Sequence, residues 1–125
     1  MARILVVDDE PGILEFLEEE LRLWGHKVEK AGNGREAIEK VRSWNPHLML
    51  LDVRMPEMDG IETLVRLAKM NHATAIVMMT AVHEKDVAEQ AMALGASDYV
   101  TKPVQLDRLR MVVETKLIEI LGADV

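Results

Sequence analysis

Short apolar runs alternate along the chain with segments in which apolar residues recur every three or four positions. Residues 4–7 (ILVV), 48–51 (LMLL) and 75–79 (AIVMM) are uninterrupted apolar runs of four or five residues. Runs of this length are typical of strands that are covered on both faces. The segments between them have the period of amphipathic helices.

The pattern predicts five strands and five helices in alternation. The strands are expected near residues 3–7, 27–30, 47–51, 75–79 and 98–101. Helices are expected near residues 11–24 and 35–44 and after each of the last three strands, with Phe16, Ala68, Ile120 and Leu121 on their apolar faces. Alternation of this kind indicates βα units and a parallel sheet.

The length of the chain limits the architecture to an open sheet. An eight-stranded α/β barrel would need about twice the 125 residues present. The remaining α/β fold is a doubly wound parallel sheet, for which we expect the strand order 2-1-3-4-5. That order places the three most apolar runs in the middle of the sheet. We therefore interpret residues 1–125 as a single domain.

Composition and charge exclude several classes of function. With 15 basic and 22 acidic residues the net charge is −7, which argues against nucleic-acid binding by this chain. Its apolar runs are far shorter than the roughly 20 residues of a membrane-spanning helix, and we expect neither a signal peptide nor membrane association. The chain has no cysteine, which favours a reducing cytoplasm as its location.

Polar residues stand at or just after the ends of four predicted strands. They are Asp8 and Asp9, Asp52, Thr80 and Lys102. Because the carboxyl ends of parallel strands lie on one edge of a sheet, these residues are expected to meet in a single crevice. Three carboxylates without histidine or cysteine favour a hard cation such as Mg²⁺.

This set of groups suits phosphoryl chemistry. A carboxylate, a magnesium ion, an ammonium group and a hydroxyl can together stabilise the oxygens of a transferring phosphoryl group. A carboxylate can itself be the nucleophile, which gives an acyl phosphate. The loop after the first strand reads DDEPG, which does not suit a flavin phosphate, and no P-loop motif is present.

The motifs ILVVDDEP, LMLLDVRMPEMDG, VMMTA and ALGASDYVTKP resemble those of the receiver domain of bacterial two-component response regulators, which has a flavodoxin-like fold. The resemblance covers essentially the whole chain and implies that Asp52 is the phosphoacceptor. It implies that Asp8, Asp9, Asp52 and the backbone carbonyl of Arg54 hold Mg²⁺. It further implies that Lys102 pairs with Asp52 and that the bond before Pro103 is cis.

The resemblance also implies a conformational switch. Thr80 would move toward the phosphoryl group and Tyr99 would turn inward, which would change the surface formed by the fourth helix, fifth strand and fifth helix, roughly residues 84–121. A sensor histidine kinase or phosphotransfer protein is the implied partner. Pairing of two phosphorylated copies through the same surface is a further implied interaction.

The resemblance also implies that two positions flank the phosphoryl group and influence its lifetime. They are Arg54, two residues after Asp52, and Val82, two residues after Thr80. Neither side chain can act as a general base for water. The sequence therefore indicates slow self-catalysed dephosphorylation.

Two other classes of function compete with this interpretation. A magnesium-dependent phosphatase with an aspartyl nucleophile would usually carry an acid or base where Arg54 stands. An interaction module that works without phosphorylation would not need the complete set of five site residues. We therefore expect a signalling domain that is not an enzyme beyond its own phosphorylation and slow dephosphorylation.

Overall fold

A computed structural model of the protein describes residues 2–81 and 83–122. Val82, to which the sequence assigned a part in slow dephosphorylation, lies outside the described residues. The elements in chain order are β1 (Arg3–Val7), α1 (Pro11–Leu23), β2 (Lys27–Ala31), α2 (Gly34–Trp44), β3 (Leu48–Asp52), α3 (Gly60–Ala68), β4 (Ala75–Ala81), α4 (Lys85–Ala93), β5 (Asp98–Lys102) and α5 (Leu106–Leu121).

The strands form one parallel sheet in the order β2-β1-β3-β4-β5, which confirms the predicted fold. All five residues of β3 are buried, and so are the apolar residues of β1 and most of β4. The edge strands β2 and β5 are only partly buried. Continuous apolar runs thus mark the central strands because helices cover both of their faces.

Two apolar clusters cover the two faces of the sheet. On one face, Leu17 and Leu21 of α1 pack with Leu109 and Val113 of α5. On the other face, the buried residues come from α2, α3 and α4, among them Leu64. None of the described helices is long and apolar enough to cross a membrane.

Several predicted helix faces were wrong by one position or by one turn. Phe16 is 45% exposed, and in α3 Leu67 is buried while Ala68 is exposed. At the end of α5, Ile120 and Leu121 are 39% and 41% exposed. A helix of 16 residues rises about 24 Å, whereas a five-residue strand spans about 17 Å. The last turn of α5 therefore extends past the sheet.

Gly60 marks a close approach between α3 and the end of β3. A Cβ atom at this position would lie 2.3 Å from the carbonyl oxygen of Asp52 and 2.8 Å from the Cα atom of Val53. Both atoms belong to backbone, which cannot move aside as a flexible side chain would.

We expect Gly60→Ala to lower the free energy of unfolding by about 3 kcal/mol, because the new methyl group forces the backbone apart. Gly12 is the matched control, since a Cβ there meets nothing within 4 Å, and Gly12→Ala in α1 should raise stability by about 0.5–1 kcal/mol. Urea unfolding of both variants measures the difference. Equal midpoints would contradict the proposed contact.

Candidate functional site

The charged residues predicted for the site lie at one edge of the sheet. Asp8 directly follows β1, and Asp52 and Lys102 are the last residues of β3 and β5. Thr80 is the penultimate residue of β4, whose last residue, Ala81, pairs with Lys102. β1 ends where the sequence predicted, whereas β3, β4 and β5 end one or two residues later, so the side chains of Asp52, Thr80 and Lys102 are held by the sheet itself.

Lys102 joins the two buried carboxylates of this edge. Its Nζ atom lies 3.0 Å from Asp8 Oδ2 and 3.0 Å from Asp52 Oδ1. The side chains of Asp8 and Asp52 are 0% and 4% exposed, while that of Lys102 is 24% exposed. The ammonium group therefore keeps the two carboxylates together and remains partly open to solvent. The sequence predicted the pairing with Asp52 but not the one with Asp8.

Backbone N–H groups complete the contacts of both carboxylates. The N–H of Glu10 donates to Asp8 Oδ1 at 3.0 Å, and the N–H of Arg54 donates to Asp52 Oδ1 at 3.3 Å. Both described contacts of Asp52, from Lys102 and from Arg54, fall on the same oxygen. Oδ2 is thus the less engaged oxygen of Asp52.

Burial changes the acidity of this group of charges. The pKa of Asp52 is raised to about 6, because the effects of burial and, to a smaller extent, of the charge of Asp8 outweigh the hydrogen bond from Lys102, which lowers it. For Lys102, burial lowers the pKa, but the hydrogen bonds and charges of the two carboxylates outweigh it, so its pKa is raised. The site therefore stabilises the charged form of Lys102 but disfavours the charged form of Asp52.

We expect the Asp52 carboxylate to destabilise the fold at neutral pH. Its pKa is about 6 in the folded protein and about 3.9 in an unfolded chain, so stability falls as pH rises from 4 to 6. Asp52→Asn should therefore be more stable than the wild type at pH 7, by at most about 3 kcal/mol.

Urea unfolding at several pH values with a chelator present measures this effect. The advantage of Asp52→Asn should shrink toward pH 4, where the wild-type carboxyl group is protonated in the folded state. Asp107→Asn, in the exposed first turn of α5, serves as the control. An advantage that stays constant with pH would contradict the raised pKa of Asp52.

The carboxylates at this edge fit a magnesium ion. Asp8, Asp9 and Asp52 each offer an oxygen atom, and these oxygens lie within 4.8 Å of one another. Asp9 is exposed, while Asp8 and Asp52 are buried. An all-oxygen set that is open on one side suits Mg²⁺, which takes few carboxylates and keeps several waters. The carbonyl of Arg54 stays a predicted ligand.

The loop between β3 and α3 is folded tightly beside Asp52. The N–H of Gly60 donates to the carbonyl of Val53 at 2.8 Å, which closes the loop. Glu57 has φ 66°, a left-handed conformation that is uncommon outside glycine. The side chain of Asp59 accepts from the N–H of Glu62 and caps α3. These contacts fix the backbone from which Arg54 projects.

The remaining predicted site residues lie on β4 and β5. Thr80 is 1% exposed, one residue before the end of β4. Tyr99 is half-buried and packs against the cluster formed with α2, α3 and α4. The Lys102–Pro103 peptide bond is cis. The movements of Thr80 and Tyr99 stay predictions.

Sequence reasoning missed an ion pair that crosses the mouth of the site. The guanidinium group of Arg54 donates to Glu84 Oε2, from the loop after β3 to the residue that precedes α4. Glu84 is a buried carboxylate, whereas the side chain of Arg54 is largely exposed. Arg54 and Glu84 are 30 residues apart in the chain, so no local sequence pattern indicates that they pair.

An apolar hollow of about 240 Å³ lies beside Lys102. Its walls are Ile13, Phe16 and Leu17 of α1 together with Pro103 and Val104. The exposure of Phe16, which was predicted to be part of the core, is explained by its position at this hollow. The structure thus places an exposed apolar surface next to the cluster of charges.

Comparison with known sequences identifies relatives over nearly the whole chain. Residues 4–114 match the response regulator receiver domain family. The transcriptional regulatory protein ZraR of Klebsiella oxytoca is 43% identical over 114 residues, which are 91% of this chain and 26% of ZraR. The sporulation initiation phosphotransferase F of Bacillus subtilis is 36% identical over 92% of this chain and 93% of its own length.

Solved structures with the same fold are also found. The Vibrio cholerae chemotaxis protein CheY4 superposes with a TM-score of 0.87 at 29% sequence identity, covering 94% of this chain and 99% of CheY4. A response regulator receiver domain from Clostridium thermocellum gives a TM-score of 0.87 at 28% identity, with 95% and 96% covered. The chain spans about a quarter of ZraR and of the Escherichia coli regulatory protein AtoC.

Proposed function

Because the chain belongs to the response regulator receiver domain family, we propose that Asp52 is the residue that accepts the phosphoryl group. The observation that carries this proposal is the position of its carboxylate. Asp52 is almost completely buried at the tip of β3, within reach of the Lys102 ammonium group and beside Asp8. Asp8 shares the cation and the candidate metal site, but Lys102 and the N–H of Glu10 engage both of its oxygens, whereas Oδ2 of Asp52 is less engaged.

The contacts of Asp52 suggest which of its oxygens reacts. Lys102 and Arg54 both hold Oδ1, so Oδ2 attacks phosphorus while the bond from phosphorus to the donor breaks. Asp8, Asp9, Asp52 and the carbonyl of Arg54 would hold Mg²⁺, which would neutralise charge on the phosphoryl oxygens. Oδ2 must be ionised to attack, and Lys102 favours that state.

Lys102 and Thr80 act on the product of the transfer. The ammonium group of Lys102 pairs with a phosphoryl oxygen and remains anchored by Asp8. Thr80 donates its hydroxyl to another phosphoryl oxygen, and Tyr99 turns inward as Thr80 moves. The conformation that makes these contacts gains population when Asp52 is phosphorylated. The altered surface comprises α4, β5 and α5, through which two phosphorylated copies pair.

The partner that supplies the phosphoryl group is a sensor histidine kinase or a phosphotransfer protein. The hollow lined by α1 and Val104 supports a protein partner, because it offers an apolar contact surface directly beside Lys102. A phosphohistidine presented there would reach Asp52 from the open side of the site. The chain lacks cysteine, and we place this exchange in the cytoplasm.

Incubation of the protein with Mg²⁺ and a small-molecule phosphodonor tests the proposal. The expected product is one phosphoryl group per chain, in an adduct that is stable to acid and labile to base, as acyl phosphates are. Removal of Mg²⁺ by a chelator should prevent its formation. A magnesium-dependent phosphatase would instead release phosphate over many turnovers. An interaction module that works without phosphorylation would give no adduct.

A further inference from the structure

Arg54 and Glu84 form an ion pair of unequal partners. The carboxylate of Glu84 is 6% exposed, whereas the side chain of Arg54 is 73% exposed. Two exposed charges would contribute little to stability. Arg54 is therefore the partner that can leave the pair, because its side chain is open to solvent, whereas Glu84 is held at the residue before α4.

Glu84 is not engaged as an ordinary helix cap. It occupies the residue before α4, but its side chain makes no capping hydrogen bond to the first turn. The hydrogen bond and charge of Arg54 lower the pKa of Glu84, and those of Glu84 raise the pKa of Arg54. The Glu84 carboxylate is thus paired with Arg54 in the loop after β3 and not with the first turn of α4.

The backbone of Arg54 is already part of the acceptor site. Its N–H donates to Asp52 Oδ1 at 3.3 Å, so the root of the side chain lies next to the proposed phosphoacceptor. A phosphoryl group on Asp52 would add about two negative charges and three acceptor oxygens. The planar guanidinium fork of arginine binds such oxygens in pairs. A doubly charged group would therefore compete strongly with the single charge of Glu84.

We propose that Glu84 is a positioning residue that holds the Arg54 guanidinium away from the acceptor oxygens, and that the phosphoryl group takes this guanidinium over when it forms. The inference rests on the proposed function of Asp52. Its consequence is a direct link from the site to α4. When Arg54 leaves, an unpaired carboxylate remains at the start of this helix and must find water or the N–H groups of the first turn.

Binding of beryllium fluoride, a phosphoryl mimic that coordinates a carboxylate oxygen reversibly and needs no phosphodonor, tests the competition. Calorimetric titration in the presence of Mg²⁺ would compare the wild type, Glu84→Gln, Arg54→Met and the double variant. Glu84→Gln should bind the mimic roughly tenfold more tightly, the change that about 1.4 kcal/mol produces. Arg54→Met should bind it more weakly. In the double variant, the effect of Glu84→Gln should disappear.

Controls separate this role from a general effect on the fold. Glu89→Gln removes the same charge from an exposed position of α4 and should leave the affinity unchanged. Arg54→Lys keeps the charge and should retain part of the affinity. If Glu84→Gln has the same effect with and without Arg54, or no effect, the proposed competition is overturned.

A second readout uses the wild type alone. The side-chain Nε–Hε resonance of Arg54 in nitrogen-15 spectra should shift when beryllium fluoride binds, because the guanidinium changes its partner. An unchanged resonance on a saturated protein would contradict the inference while leaving Asp52 as the acceptor. If the wild type binds the mimic no better than Asp52→Asn does, the proposed function fails and the inference fails with it.

Discussion

Asp52→Asn is expected to form no phosphoryl adduct under conditions in which the wild type is fully modified. The amide that replaces the carboxylate is not a nucleophile, and the substitution removes one of the three carboxylates proposed to hold Mg²⁺. The neighbouring carboxylates cannot substitute for it. Both oxygens of Asp8 are engaged, one by Lys102 and the other by the N–H of Glu10, and Asp9 is an exposed residue after the end of β1.

Mass spectrometry of the intact protein after incubation with phosphodonor and Mg²⁺ measures this loss. The Asp107→Asn variant is the matched control and should be modified as the wild type is. Circular dichroism should show that Asp52→Asn remains folded, because we expect this variant to be more stable than the wild type at neutral pH. An adduct on Asp52→Asn of the same yield would place the acceptor elsewhere and overturn the proposed function.

Lys102→Met is expected to slow phosphoryl acceptance by a factor of about 100. The ammonium group is the only charged donor that contacts both Asp8 and Asp52 among the described residues. Removing one preorganised donor at a developing charge commonly has an effect of about this size. The substitution also leaves two buried carboxylates side by side without a cation. Stability should therefore fall by about 3 kcal/mol, the lower end for a broken buried pair, since Lys102 is partly exposed.

The loss of stability should depend on pH. Lys102 opposes the raised pKa of Asp52, so without Lys102 the Asp52 carboxyl group takes up a proton more readily, and the variant should recover part of its stability as pH falls from 7 toward 4. Lys69→Met, an exposed position just after α3, is the control for loss of a positive charge. Initial rates of adduct formation and urea unfolding at two pH values measure both effects. A variant that matches Lys69→Met in rate would exclude Lys102 from the reaction.

The architecture could be predicted from the sequence because its strongest signal has a single cause. Strands that are buried on both faces must be apolar throughout, and β1, β3 and β4 meet that condition. The faces of the helices were less predictable, as Phe16 and Leu67 show. Whether such a residue is buried depends on how its helix lies on the sheet, and the spacing of residues along the chain does not determine that.

The site divides in the same way. Its strand-end residues could be predicted because all strands of a parallel sheet end at one edge, and Asp8, Asp52 and Lys102 do meet there. Glu84 could not be predicted. Its pairing with Arg54 depends on two loops whose paths are set by the tertiary structure. What the sequence alone left out is therefore the pairing of particular side chains, namely Lys102 with Asp8 and Arg54 with Glu84.

The reactive residues and the surface residues are held in place differently, and this has an evolutionary consequence. Asp52 and Lys102 are anchored by strand hydrogen bonds, whereas Phe16, Val104 and the exposed residues of α4 and α5 lie on solvent-facing surfaces. Duplicated copies of such a domain could thus acquire new surfaces without disturbing the reactive centre. Insulation of parallel signalling pathways from one another then requires only changes in the outer residues, while the same chemistry is inherited in every copy.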